Sequence, residues 1–327
     1  MKKYLKHIIT ALVCFLFIVI LNFALPRLLQ GDPIAYLTGF DEEEMSAELY
    51  NYYYHALHLD ENIFVQFGFY LKSLFDGTLG YSYKAERVVS SLINERIGYS
   101  LQITIPAILI SLALGLFWGM HSGYKKESSF DKISTTSLIF VNSIPAFAIA
   151  LVLVITLCVQ AQLFPYSGLN GLNAKPGTIQ YFFDRIYHLI LPILSIVIST
   201  LPSRYLLVRN TTAKFVDDKS VLYAKQRGLS DRKIKYNYML KNTIQPYISM
   251  AGTAIGSSIG GSIVVENIFS INGVGGLLNS AIYTLDYPLM QGILFVTAFF
   301  MIICVILSDL ICIIIDPKIK KGARSYE

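Results

Sequence analysis

Charge is what this chain of 327 residues most lacks: 15% of its residues are Asp, Glu, Lys or Arg, where a soluble domain carries about 25%. That deficit, beside 54% hydrophobic residues and a mean hydropathy of +0.52, argues against a water-soluble domain and points to a bilayer as solvent. Cysteine is scarce too. Cys14, Cys158, Cys304 and Cys312 all lie inside apolar runs without Cys-x-x-Cys or Cys/His spacing, so neither a disulfide framework nor a zinc site is expected. No Gly-x-x-x-x-Gly-Lys-Ser/Thr stretch occurs, and nucleotide chemistry therefore has no phosphate loop here. The apolar runs hold no nucleophile–base or His–acid constellation, which speaks against an intramembrane enzyme. Repeats and low-complexity tracts are missing. The net charge of +5 would suit nucleic acid, but the placement of the basic residues explains it better.

A spanning helix needs about 20 mostly apolar residues, because the hydrocarbon core is ~30 Å thick and every backbone polar group must be bonded internally. Six stretches qualify, at about 8–25, 99–120, 133–161, 186–208, 247–268 and 289–315. The first follows Met1-Lys2-Lys3 as a signal peptide would, yet it outruns a usual signal core and ends in Pro26-Arg27 without a small-residue cleavage site, so it reads as a retained anchor. With the N-terminus inside, 20 of the 27 Lys and Arg residues fall on inner segments and 7 on outer ones. Both termini are expected to be cytoplasmic. The fold class expected is all-α and polytopic with six transmembrane helices, organised as a tail and first span (1–25), an extracytoplasmic segment (26–98), a five-helix core (99–320) and a tail (321–327).

The outer segment opens with the turn signal Gly31-Asp32-Pro33 and the acidic run Asp41-Glu42-Glu43-Glu44. Over Asn62–Phe75, Phe64, Phe67, Leu71 and Leu74 recur at helical spacing among further aromatics. An interfacial helix and a packed helix of a small outer subdomain account for that pattern equally well.

Between the fourth and fifth stretches lies a basic segment, Arg204–Pro246, with the loop proper at 209–246. Its positive charge is interrupted by Val221, Leu222, Ala224, Leu229, Ile234, Leu240 and Ile244. Gly228 suits the left-handed position that ends a helix, Ser230 and Asp231 suit the start of another, and Pro246 marks the expected passage into the fifth span. Helix, glycine turn, helix: such a unit fits a partner's groove. On patterning alone, an inner loop whose basic residues meet anionic headgroups accounts for it better.

Tyr223-Ala224-Lys225-Gln226-Arg227-Gly228-Leu229-Ser230, with Lys241-Asn242-Thr243-Ile244-Gln245-Pro246 beyond it, resembles the "EAA" coupling loop of ABC importer permeases of the dipeptide/oligopeptide/nickel class, written T-A-R-A-K-G-L-S and R-N-A-hydrophobic-x-P. Tyr223, Gln226 and Arg227 depart from it. Gly31-Asp32-Pro33, Gly77-Thr78-Leu79-Gly80-Tyr81-Ser82, Ser143-Ile144-Pro145-Ala146-Phe147, Val265-Glu266-Asn267-Ile268-Phe269-Ser270, Ile271-Asn272-Gly273-Val274-Gly275, Asp286-Tyr287-Pro288 and Asp316-Pro317-Lys318-Ile319 resemble further motifs of that family in the same order. Thr78 stands where the family has Asp, and Asn272 where it has Pro.

The resemblance implies a type I-like permease fold and a non-catalytic subunit forming half of a pathway for peptides or related small solutes, nickel and metal chelates among them, with specificity lying largely in a delivery protein. It implies a second homologous permease, two cytoplasmic ATPases that use ATP and Mg, an extracytoplasmic binding protein, and membrane lipid around the chain. No cofactor, metal or nucleic acid is expected on this chain. Residues Leu222 to Ser230 would contact the ATPase, Gly228 giving the turn and Leu222, Ala224 and Leu229 the apolar contact. Lys225, Arg227, Arg232 and Lys233 would pair with it or stay solvated. In the fifth span Gly252, Gly256 and Gly260 recur every fourth residue and favour close helix packing over substrate contact. Glu266 is a gate candidate; an interfacial carboxylate bonded to local backbone is the equal alternative. Rival readings are an ion-coupled secondary transporter, disfavoured by the few intramembrane acids, and a non-transporting scaffold.

Overall fold

The computed structural model describes residues 2–28, 34, 45–171 and 174–315. The Gly31-Asp32-Pro33 and Asp316-Pro317-Lys318-Ile319 motifs, the acidic run 41–44 and the C-terminal tail lie outside the described residues. The chain is predominantly helical: α1 (Lys2–Leu28), α2 (Ala47–Ala56), α3 (Ile63–Phe75), a hairpin of β1 (Tyr81–Ser82) and β2 (Arg87–Val88), α4 (Val89–Tyr124), α5 (Ser129–Asn142), α6 (Ala146–Leu153), α7 (Ile179–Phe215), α8 (Lys219–Gln226), α9 (Asp231–Ile234), α10 (Leu240–Gly256), α11 (Ile263–Ile268), α12 (Val274–Tyr283) and α13 (Tyr287–Ile315). Wide π turns at Val154–Gln160 and Lys235–Met239 continue α6 and α9.

Among the described residues, three helices are long and apolar enough to cross a membrane: Val89–Tyr124, Ile179–Phe215 and Tyr287–Cys312. At 1.5 Å per residue, the 37 residues of α7 reach about 55 Å, far beyond a ~30 Å core. The stretch expected as one span at 133–161 is instead two helices meeting at 94°. Pro145 causes the break: it has no N–H to donate and drives the residue before it out of helical geometry. It then serves as the N-cap of α6. The stretch at 247–268 is also divided. α10 stops at Gly256 and α11 begins at Ile263, with Gly261 at φ +67° between them, a backbone state that glycine reaches without penalty. Pro246 lies inside α10 rather than at its start, its neighbours Thr243 and Tyr247 being buried.

The chain forms two compact units. The first comprises Met1–Leu101, Ser257–Asn267 and Ile271–Ile302. Its core joins Val89, Leu92 and Ile93 of α4 to Val274 and Ala281 of α12 and Leu289 and Ile293 of α13. Phe15 of α1 lies 5.4 Å from Phe295 and 5.6 Å from Phe299. Helix α3, capped by Asn62, turns Phe67 and Tyr70 onto Phe23 of α1. Phe64 and Phe75, 80% and 87% exposed, face away. The expected stripe is thus split, with Phe64 on the outer side.

The second unit comprises Gln102–Gly256, Ile268–Ser270 and Ile303–Glu327. Helix α7 is its axis, packed by α5, α6 and α10. Along α4, Gly115, Gly119 and Gly123 lie against α7 so closely that added Cβ atoms would stand 2.8 Å from Arg204 Cβ, 2.8 Å from Tyr205 O and 2.6 Å from Arg209 O, respectively. Small residues every fourth position let backbones approach this far, which is how helices associate without a hydrophobic drive in lipid.

Candidate functional site

The basic loop expected at 209–246 starts within the last turns of α7 and runs on into α10. Asp218 caps α8 by accepting from the Ser220 N–H at 2.8 Å. After Gln226 the chain reverses at Gly228, φ +70°, with the Leu229 N–H donating to Ala224 O at 3.2 Å. Ser230 occupies the cap position of α9 with extended backbone but makes no side-chain cap bond. Val216, Val221, Ala224, Ile234 and Met239 pack into a small core, covered by Leu229, Phe215, Tyr124 and Tyr238. This core decides which loop residues can meet a partner. Leu222 and Tyr223 are exposed (44% and 63%), and Lys225, Gln226, Arg227, Gly228 and Ser230 are exposed beside them. Ala224, expected as an apolar contact, is 2% exposed and belongs to the loop's own interior; Leu229 is half-buried against that interior.

At the root of the loop a buried polar cluster joins three helices. The Asp131 carboxylate on α5 receives two bonds from Arg209 on α7, Nε to Oδ1 at 2.9 Å and Nη2 to Oδ2 at 2.5 Å. Ser122 Oγ at the end of α4 donates to Oδ1 at 2.6 Å and the Glu127 N–H to Oδ2 at 2.9 Å. Tyr205 Oη lies 2.5 Å from Ser122 Oγ and 3.0 Å from Thr135 Oγ1. Every polar atom of the carboxylate is thus matched, the condition under which a buried charge is tolerated. Closer to solvent, Lys126 pairs with Asp217, which holds the ammonium above the usual lysine range.

In the first unit Glu266 is 1% exposed. Its Oε1 accepts from Ser100 Oγ at 2.7 Å and its Oε2 from the Gly276 N–H at 2.9 Å. Ser100 Oγ in turn accepts from the Val274 N–H at 2.8 Å. The carboxylate therefore caps the positive start of α12. Gly261, Gly273 and Gly275 crowd it; an added Cβ at Gly275 would stand 2.9 Å from Oε2. Two of the further family-like motifs also meet in this unit: Ser82 Oγ donates to Asp286 Oδ2 at 2.5 Å, while Asp286 Oδ1 accepts the Leu289 N–H at 3.1 Å and caps α13. Of the glycines expected on one stripe, Gly252 packs on Ser308 and Cys304, but Gly260 lies past the end of α10, beside Thr297.

The sequence pattern of the family described as "Binding-protein-dependent transport system inner membrane component" matches residues 107–321, two thirds of the chain. The chain belongs to this family. Curated relatives agree along nearly the whole length. "Nickel import system permease protein NikB" of Staphylococcus aureus strains MRSA252, USA300 and COL is in each case 28% identical over 321 residues, covering 97% of this chain and 91% of the relative. The protein is a permease subunit of an ATP-driven ABC importer, of the dipeptide/oligopeptide/nickel class, and a multi-pass membrane protein; its family is not one of enzymes.

In this permease the structure brings together the residues read from the loop motif and separates them by exposure. Glu266 belongs to the other compact unit. Sequence reading passed over Ser122, Tyr124, Asp131, Tyr205 and Arg209. The signals for two features were present: Ser128-x-x-Asp131 has the spacing of a capping box, which the Asp131 N–H to Ser128 Oγ bond at 3.2 Å realises, and Gly115, Gly119 and Gly123 repeat the spacing noted in the fifth stretch.

Proposed function

We propose that this permease forms half of a translocation pathway with a second, homologous permease, and that its loop 209–246 is the handle by which two cytoplasmic ATPase subunits drive it. The observation that carries this reading is the division of labour inside the loop: Val221, Ala224, Ile234 and Met239 hold its shape while Leu222 and Tyr223 present apolar surface outward next to Lys225 and Arg227. A short helix with a rigid interior and an exposed apolar edge fits a groove on a partner. ATP and Mg belong to the ATPases, and an extracytoplasmic binding protein delivers the cargo. The proposed arrangement is a type I-like fold with six crossings and both termini cytoplasmic, the placement favoured by the inner bias of Lys and Arg. The two divided stretches count as one crossing each in this arrangement. For Glu266 we propose a role in shaping the outer mouth through its grip on the start of α12, with Gly252 and Gly256 as packing positions. The relatives named for nickel import make nickel, free or chelated, the first cargo to test, and short peptides the second.

The test is co-purification of the ATPases with the assembled importer. Leu222→Asp together with Tyr223→Asp is expected to abolish association while membrane insertion persists. Normal ATPase recovery with the double variant overturns the coupling role. ATP-dependent uptake that survives an ionophore separates this reading from an ion-coupled carrier.

A further inference from the structure

The loop is tied into the second unit by its two ends, α7 running into α8 and α9 into α10. A body held at two points keeps one rotation, about the line joining them. A third fixed point removes it. The last residue of α4 supplies one. Tyr124 Oη donates to Asp231 Oδ1 at 2.6 Å, at the first residue of α9. The Nζ atoms of Lys225 and Lys235 lie 5.3 and 5.6 Å from the centre of its ring, within the range of cation–π attraction. The ring also covers the loop core of Val216, Val221, Ala224, Ile234 and Met239. One side chain therefore grips α8 through Lys225, α9 through Asp231 and the following turn through Lys235. Two residues earlier on the same helix, Ser122 bonds Asp131 and Tyr205, so the grip is anchored to α5 and α7 as well. Gly123 between them lets α4 lie against the backbone of α7. The ion pair of Lys126 with Asp217 adds a neighbouring tie to the stretch between α7 and α8.

We propose that Tyr124 is the positioning residue of the coupling loop, fixing its orientation on α4, α5 and α7 so that displacement of the loop moves those helices rather than swivelling the loop alone. This rests on the reading of the loop as the ATPase handle, and it makes a different demand: the ATPase still binds when Tyr124 is lost, but its strokes are wasted. The experiment uses the complete importer in lipid vesicles and measures ATPase recovery, ATP hydrolysis and cargo uptake per ATP. Tyr124→Leu removes both the hydrogen bond and the ring, and is expected to keep recovery and hydrolysis and to lower uptake per ATP by more than the roughly tenfold that loss of one hydrogen bond to a charged group corresponds to. Tyr124→Phe, which keeps the ring for the two lysines, is expected to fall between. Unchanged uptake per ATP in Tyr124→Leu overturns the proposal. Should Tyr124→Leu fail to assemble, the pair Tyr124→Phe and Asp231→Asn decides. Equal single losses with no further loss in the double variant support the grip, and additive losses overturn it. Failure of the wild-type loop to bind ATPase at all would sink the coupling reading instead, and is seen in the recovery measurement alone.

Discussion

Asp131 and Arg209 are joined by a two-point ion pair, 2.9 Å and 2.5 Å, with the carboxylate side chain 2% exposed and the guanidinium 24% exposed. Ion pairs at a surface contribute little, but removal of one partner from a buried pair strands the other charge. Asp131→Ala is therefore expected to destabilise the detergent-solubilised permease by about 3–5 kcal/mol, and Arg209→Lys by less, since lysine keeps the charge but not the fork. Unfolding midpoints followed by intrinsic fluorescence check both, and an Asp131→Ala midpoint equal to wild type refutes the stabilising role.

The contact between α4 and α7 makes a second expectation. At Gly119 an added Cβ would meet Tyr205 O and Val208 Cβ, each at 2.8 Å. Backbone oxygen cannot move aside without moving α7, and Gly119→Val should cost about 1–3 kcal/mol by overpacking. Gly98 lies on the same helix with nothing within 4 Å of its added Cβ. Gly98→Ala should instead stabilise, by up to about 1 kcal/mol from helix propensity. Thermal midpoints moving in opposite directions are the expected result; a fall in both would refute the contrast.

A third expectation concerns α3. Its outward Phe64 and Phe75 are left exposed by the described residues, and an aromatic helix edge of this kind suits the headgroup region. Phe64→Trp in vesicles should be quenched by lipids brominated near the headgroup end of the chain. Quenching only by an aqueous quencher would place the helix clear of the bilayer.

Much of this architecture is legible in the sequence. The apolar runs located α4, α7 and α13, because burial in lipid demands length and hydropathy and little else. Gly228 was legible for a similar reason: only a few residues tolerate positive φ, and glycine leads them. The breaks at Pro145 and around Gly261 were harder. Hydropathy averaged over a window is blind to direction, and the short small or polar stretches at the two corners, Asn142-Ser143 and Gly256 to Ser262, do not lower it enough to divide the span. Helix α12 was missed altogether, since its ten residues fall short of a crossing and one of its two ties, Ser100 to the Val274 N–H, comes from 174 residues away. The Tyr124–Asp231 and Asp131–Arg209 pairs are separated by 107 and 78 residues, and no local periodicity carries such information. Ala224 shows the converse limit: a motif position can matter for the shape of the loop rather than for what the loop touches.

The glycine cage around Glu266 has a consequence for how this part of the molecule can change over time. An alanine at position 273 or 275 would press its methyl to within 2.5 or 2.9 Å of the carboxylate oxygen and evict it. A substitution at 266 would instead leave the Gly276 amide and the Ser100 hydroxyl without their acceptor. Single mutations in either direction are penalised, so these positions drift jointly or not at all. Among descendants of this gene they should behave as one inherited character.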